Sequence, residues 1–185
     1  LGLLAVAPGS LMQEIADFSL LFGALVLTDY DFTGDVDFLR ECYPTLAGMT
    51  DFYGQYGRED GLLENVAHAW NLVDWPENLR DNYDFALTRP VVGEGCHNVI
   101  NALWYGALIM KEKVEGILGL PCDRASRAVG EAFRKAFYRP EQKLFGDSEV
   151  SDHCSLHANL YAACFGLLPE EAEETYEALL LTPGR

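Results

Sequence analysis

Residues 30–65 read YDFTGDVDFLRECYPTLAGMTDFYGQYGREDGLLEN. Thr33, Gly34 and Asp35 form a turn, Asp35 can cap a helix carrying Val36, Phe38 and Leu39, and Pro44 is expected at the first turn of a continuation through Phe52, Tyr53 and Tyr56. Gly57 ends it. Upstream, Ser10 with Gln13 three positions later is a capping-box signature, and Leu11, Ile15, Phe18, Phe22, Leu25 and Val26 recur at helical spacing. A first helix is therefore expected from about residue 11 to about residue 30. Two helices joined by so few residues should pack antiparallel.

Downstream, residues 58–95 interrupt the helical pattern, with frequent Gly, Asp, Asn and Pro and weak periodicity. A connection of that length inside one domain usually carries function or short structure of its own. From about His97 to Leu118 a stripe returns through Val99, Leu103, Ala107, Met110, Val114 and Ile117, with Lys111, Lys113 and Glu115 among its polar positions. Gly119 to Pro121 breaks this helix, Asp123 can cap the next, and Ala128, Ala132, Phe133, Ala136 and Phe137 give that one its face until Pro140. Leu144 to Asp147 reads as a short extended segment or turn. A fifth helix is expected from Ser151 or Asp152 through Leu156, Leu160, Ala163 and Cys164, ended by Gly166 as its C′ residue, and a sixth from Pro169 through a run of glutamates. The pattern is all-α, three antiparallel hairpins, with no tetratricopeptide or ankyrin period.

At 185 residues and 49% hydrophobic, the chain can bury a core, as one domain over 1–185 or as a piece of a larger helical one. A formal charge of −16 leaves no basic stripe for a nucleic-acid partner. The five cysteines include no CxxC pair, which points to a reducing compartment and a cytoplasmic setting rather than a disulfide framework. The apolar run near residues 99–110 contains Asn101 and Gly106 and is too short to span a membrane. The opening LGLLAVA has no preceding basic residue and is broken by Pro8, so it reads as the tail of an earlier element.

The chemistry is concentrated in Trp70, Asn71, Leu72, Val73, Asp74 and Trp75. Two indoles around a carboxylate and an amide suit a sugar, whose C–H faces pack on rings and whose hydroxyls need polar acceptors. The competing reading has both tryptophans capping a core and Asp74 capping a helix. His153 and His157 stand four apart as a metal pair would, but HExxH lacks its glutamate here and no third ligand is evident, so no metal is expected. No GxGxxG, GxxxxGK[ST] or GxSxG occurs, and no cofactor is implied.

Three hairpins with a sugar-type loop after the first pair resemble half of an (α/α)6 toroid. More narrowly, residues 30–65, the WNLVDW loop, NALWYGAL at 101–108 and SLHANLYAACFGL at 155–167, in that order, resemble the catalytic domain of bacterial α-L-rhamnosidases of glycoside hydrolase family 78. The resemblance implies an inverting hydrolase acting on rhamnosyl glycosides, whose acid and base flank the sugar about 6.5–9.5 Å apart. It implies substrate contact by Trp70, Asn71, Asp74 and Trp75, and by His157 from the start of an inner helix. The family's acid motif, an acidic DERxGW-like loop, and its base motif are absent from these residues, so the catalytic pair is unassigned and a fragment of a longer enzyme is expected. An isolated half-toroid would expose inner-helix faces and is expected to self-associate. The alternative is a non-catalytic helical toroid domain that binds carbohydrate or a protein partner through the same loop.

Overall fold

The structure is a computed structural model that describes residues 4, 15–66, 95–173 and 175–176. Helices dominate: α1 (Ala16–Leu20), α2 (Phe22–Thr33), α3 (Val36–Gly54), α4 (Asn98–Leu118), α5 (Ser126–Phe137) and α6 (Leu156–Cys164). A two-stranded antiparallel ribbon, β1 (Tyr138–Arg139) and β2 (Leu144–Phe145), lies between α5 and α6, and a 3-10 turn (Glu170–Ala172) follows α6. Residues 173, 175 and 176 continue as helix, the start of the expected sixth.

Helix α4 is the centre. Twelve of its 21 residues are buried, so it is covered on most sides rather than along one stripe, and it packs against α1, α2, α3, α5 and α6. By contrast α5 buries Val129, Gly130, Phe133 and Phe137 on a single face and leaves Arg127, Glu131 and Lys135 exposed, the pattern of an outer helix. Gly106 lets α6 close on α4: a Cβ there would stand 2.5 Å from the Phe165 ring.

Several expectations need correction. The first helix begins at Ala16 after an extended Ile15, and it is broken at Leu21 (φ −83°, ψ −3°) before resuming as α2; the Ser10–Gln13 capping box lies outside the described residues. Pro44 sits inside one continuous helix, α3, whose Asp35 cap accepts from Phe38 N–H at 2.9 Å as anticipated. Asp123 accepts from Ala125 N–H just ahead of α5, while the first helical residue, Ser126, gives its N–H (2.8 Å) and hydroxyl (2.7 Å) to Glu112 of α4. Helix α6 starts at Leu156, capped by Ser155, because Ser151 to Cys154 are held in a loop. Its buried face is Ala158, Asn159 and Ala162; Leu156 is exposed and Leu160 only half-buried, so the leucine stripe does not mark the core side. Gly166 does take the left-handed C′ conformation (φ +73°). Glu115 is not a solvated position: it is 2% exposed and holds Lys111 Nζ at 2.6 Å and Tyr43 OH at 2.9 Å.

The entries to α4 and α6 use one device twice. Asn101, the fourth residue of α4, donates Nδ2 to His97 O four residues back (2.8 Å) and clamps Leu63, accepting its N–H at 2.6 Å and donating to its C=O at 3.0 Å. Asn159, the fourth residue of α6, donates to Ser155 O (2.8 Å) and clamps Phe145 with the same pair of bonds, 2.8 and 3.0 Å. Upstream the correspondence continues. Leu63 bridges Gly57 as Phe145 pairs with Tyr138, and Glu64 N–H bonds Tyr56 O as Gly146 N–H bonds Phe137 O. Each buried amide thereby satisfies an extended backbone that would otherwise be orphaned between helices.

Candidate functional site

Because the two clamps stand at the starts of α4 and α6, the segments before those helices meet on one rim. Asn65 and Gly95 close the mouth of the 67–94 connection, Asn65 N–H to Gly95 O at 2.9 Å and Gly95 N–H to Asn65 Oδ1 at 2.8 Å. Next to them Glu149 N–H reaches Cys96 O (3.4 Å) and His97 bridges Ser148, so the loop before α6 lies alongside the start of α4.

Two arginines fix that loop. Arg139 gives Nη1 to Ala136 O at 3.0 Å and Nη2 to the carbonyls of Ser148, Glu149 and Ser151 at 2.9, 3.2 and 3.3 Å. Arg58 takes the Glu149 carboxylate bidentately (2.8 and 2.9 Å) and Asp60 through Nε and Nη2 (3.2 and 2.7 Å), with Glu64 at 3.7 Å. The hydrogen bonds that Arg58 donates to Glu149 and Asp60 push its guanidinium further up, and Arg58 in turn lowers the Asp60 carboxyl. Burial pushes the Cys96 thiol up to about 12, so it is no nucleophile at neutral pH.

The remaining polar cluster is built on Asp147, which is 2% exposed. Its Oδ1 accepts from Ser155 N–H (2.7 Å), its Oδ2 lies 2.6 Å from His153 Nδ1, and its backbone bonds both His153 O and Asn98 N–H at 2.9 Å. His157 is on the first turn of α6, half-buried, with its ring centroid 6.4 Å from that of Tyr161, which stacks in turn on Phe165. His153 lies in the loop ahead of α6, so the two histidines do not share a helical face. Depressions of about 320 Å³, floored by Trp104 and Leu108, and about 390 Å³, beside Lys135 and Glu149, flank the Arg58 network; neither is lined by a histidine.

The bacterial alpha-L-rhamnosidase six-hairpin glycosidase domain model matches residues 6–182. The chain belongs to that family. Within it, the alpha-L-rhamnosidase of Formosa agariphila is 24% identical over 176 residues, covering 91% of this chain and 17% of that protein. Among solved structures, the family 78 rhamnosidase of Bacillus sp. GL1 superposes with a TM-score of 0.75 at 19% identity, covering 92% of this chain and 18% of the other. The rhamnosidase from Klebsiella oxytoca with rhamnose bound gives 0.70 at 15%, covering 98% and 34%. The chain thus spans less than a fifth of the Formosa and Bacillus rhamnosidases, and the structural likeness fixes the fold, a run of helical hairpins like those of the rhamnosidase six-hairpin domain.

In this rhamnosidase-family domain, the residues singled out from sequence fall in two groups. Trp70, Asn71, Asp74 and Trp75 lie outside the described residues. His157 is placed on the α6 side of the rim. Sequence reading passed over Asp147 and both clamping asparagines. A signal existed for the asparagines: Cys96 and Asn101, and again Cys154 and Asn159, repeat the spacing Cys-x4-Asn ahead of each clamp.

Proposed function

We propose that the chain is part of the catalytic domain of an inverting glycoside hydrolase that releases terminal α-L-rhamnose, and that it supplies a sugar-binding wall rather than the acid and base. The observation that carries this reading is the family match over residues 6–182; the name of the Formosa relative and the rhamnose in the Klebsiella structure favour rhamnose as the sugar. The rim geometry supports the division of labour. Asp60, Glu64 and Glu149 all turn to Arg58, whereas inversion needs one carboxyl free to protonate the leaving oxygen and another facing a water across the ring.

The wall in this reading is the 58–95 region, with Trp70 and Trp75 as stacking surfaces, Asn71 and Asp74 as hydroxyl partners, and His157 as a further substrate contact. In the full-length protein, Trp70→Ala and Asp74→Asn should each weaken rhamnoside use by about 1–2 kcal/mol, roughly five- to thirtyfold in kcat/KM. Nitrophenol release from an aryl α-L-rhamnoside measures it. Unchanged kinetics in both variants would make the loop structural, and rhamnose binding by a wild-type protein without turnover would favour a non-catalytic carbohydrate-binding domain.

A further inference from the structure

The loop before α6 is held far more tightly than a connection needs to be. Arg139 binds three of its carbonyls, Arg58 binds its Glu149 carboxylate, and Asn98 donates from its side chain to Gly146 O at 3.0 Å. What this frame presents at the surface is His153, whose side chain is 38% exposed although its Nδ1 lies 2.6 Å from the buried Asp147. A carboxylate accepts on both oxygens, and Oδ1 already takes the Ser155 N–H, so the ring nitrogen facing Oδ2 carries the proton. In the neutral imidazole with that tautomer, the other nitrogen, Nε2, is the acceptor. An imidazole fixed in tautomer and direction by a buried carboxylate is pre-organised to meet a hydrogen-bond donor. It stands on the same rim as the mouth of the 67–94 connection, through the Cys96–Glu149 and His97–Ser148 contacts.

We propose that His153 contacts substrate, its Nε2 accepting from a hydroxyl of the terminal sugar, and that Asp147 is the positioning residue that holds its ring. This rests on the rhamnosidase reading above. Among the neighbouring groups, the Cys154 thiol is turned to Gln142 Oε1 (3.2 Å) and the Arg139 guanidinium is spent on backbone carbonyls, while Asp152 is exposed beside His153.

The full-length protein distinguishes this from a purely structural dyad. His153→Asn keeps an amide N–H where Nδ1 was, preserving the bond to Asp147, but deletes Nε2. The expected result is a KM for an aryl α-L-rhamnoside raised about five- to tenfold with an unchanged melting temperature. Asp147→Asn, its carbonyl still accepting from Ser155, would turn its NH2 towards Nδ1 and move the ring proton to Nε2, converting acceptor to donor; nitrogen-15 NMR of the imidazole should report the exchanged tautomer together with a raised KM. In the wild type, saturation with L-rhamnose should shift the His153 Nε2 resonance, a reading that stands even if a variant fails to fold. Wild-type KM in folded His153→Asn, or an Nε2 resonance indifferent to rhamnose, overturns the inference while leaving the rhamnosidase reading intact. A wild-type protein that turns over no rhamnoside overturns both.

Discussion

Asp17, near the start of α1, is a residue whose energetics run against the fold. Its Oδ1 is buried without a hydrogen-bond partner among the described residues, and burial raises its carboxyl above the ordinary 3.8, with hydrogen bonds from the Phe18 and Asp17 backbone only partly opposing this. A carboxyl with a raised native pKa binds its proton more tightly folded than unfolded. Its contribution is therefore fully present below the unfolded value and is lost as pH rises through the native one. Asp17→Asn should accordingly be more stable than wild type to urea at pH 7, with the gap closing towards pH 3; an Asn variant that is less stable at pH 7 would contradict this. Such a residue is illegible in sequence, because an aspartate between Ile15 and Phe18 satisfies the helical pattern as a solvated position. Asp147 was hidden for a related reason. Its partners His153 and Ser155 lie six and eight residues away through an irregular loop, a relation that no period encodes.

At the scale of elements, the paired asparagine clamps should dominate local stability. Asn101→Ala would strip both backbone groups of Leu63 of their partners inside a site where Asn101 is 0% exposed, a cost of about 3 kcal/mol or more. Asn159→Ala should cost a similar amount, since it also loses the 2.6 Å bond from Tyr176 OH. Chemical denaturation checks the magnitude, and hydrogen exchange at the Leu63 and Phe145 amides checks the mechanism: each variant should deprotect its own clamped residue first. Equal, global loss of protection in both would show that the clamps are not local devices. Helix α4 and the Asp35 cap of α3 were legible because glycine, aspartate and apolar spacing agree there. The face of α6 was not. Leu156 is exposed and Leu160 only half-buried, while the buried face of Ala158, Asn159 and Ala162 includes an asparagine that polarity alone assigns to solvent.

For the whole molecule, the hairpin architecture was readable from the order of helix stripes, and the family from the ordered run of residues 30–65, the tryptophan loop, 101–108 and 155–167. The proposed sugar site rests on a loop composition alone, because a toroid assembles its site from connections far apart in sequence. The reaction proposed for it, inversion, needs an acid and a base on opposite faces of the sugar and water attacking in line. Proton NMR of the full-length protein acting on an aryl α-L-rhamnoside tests this most directly, by following the anomeric signal of the first rhamnose released. β-L-rhamnose appearing before mutarotation is the expected result; release of the α-anomer first, or no release of rhamnose, would contradict it.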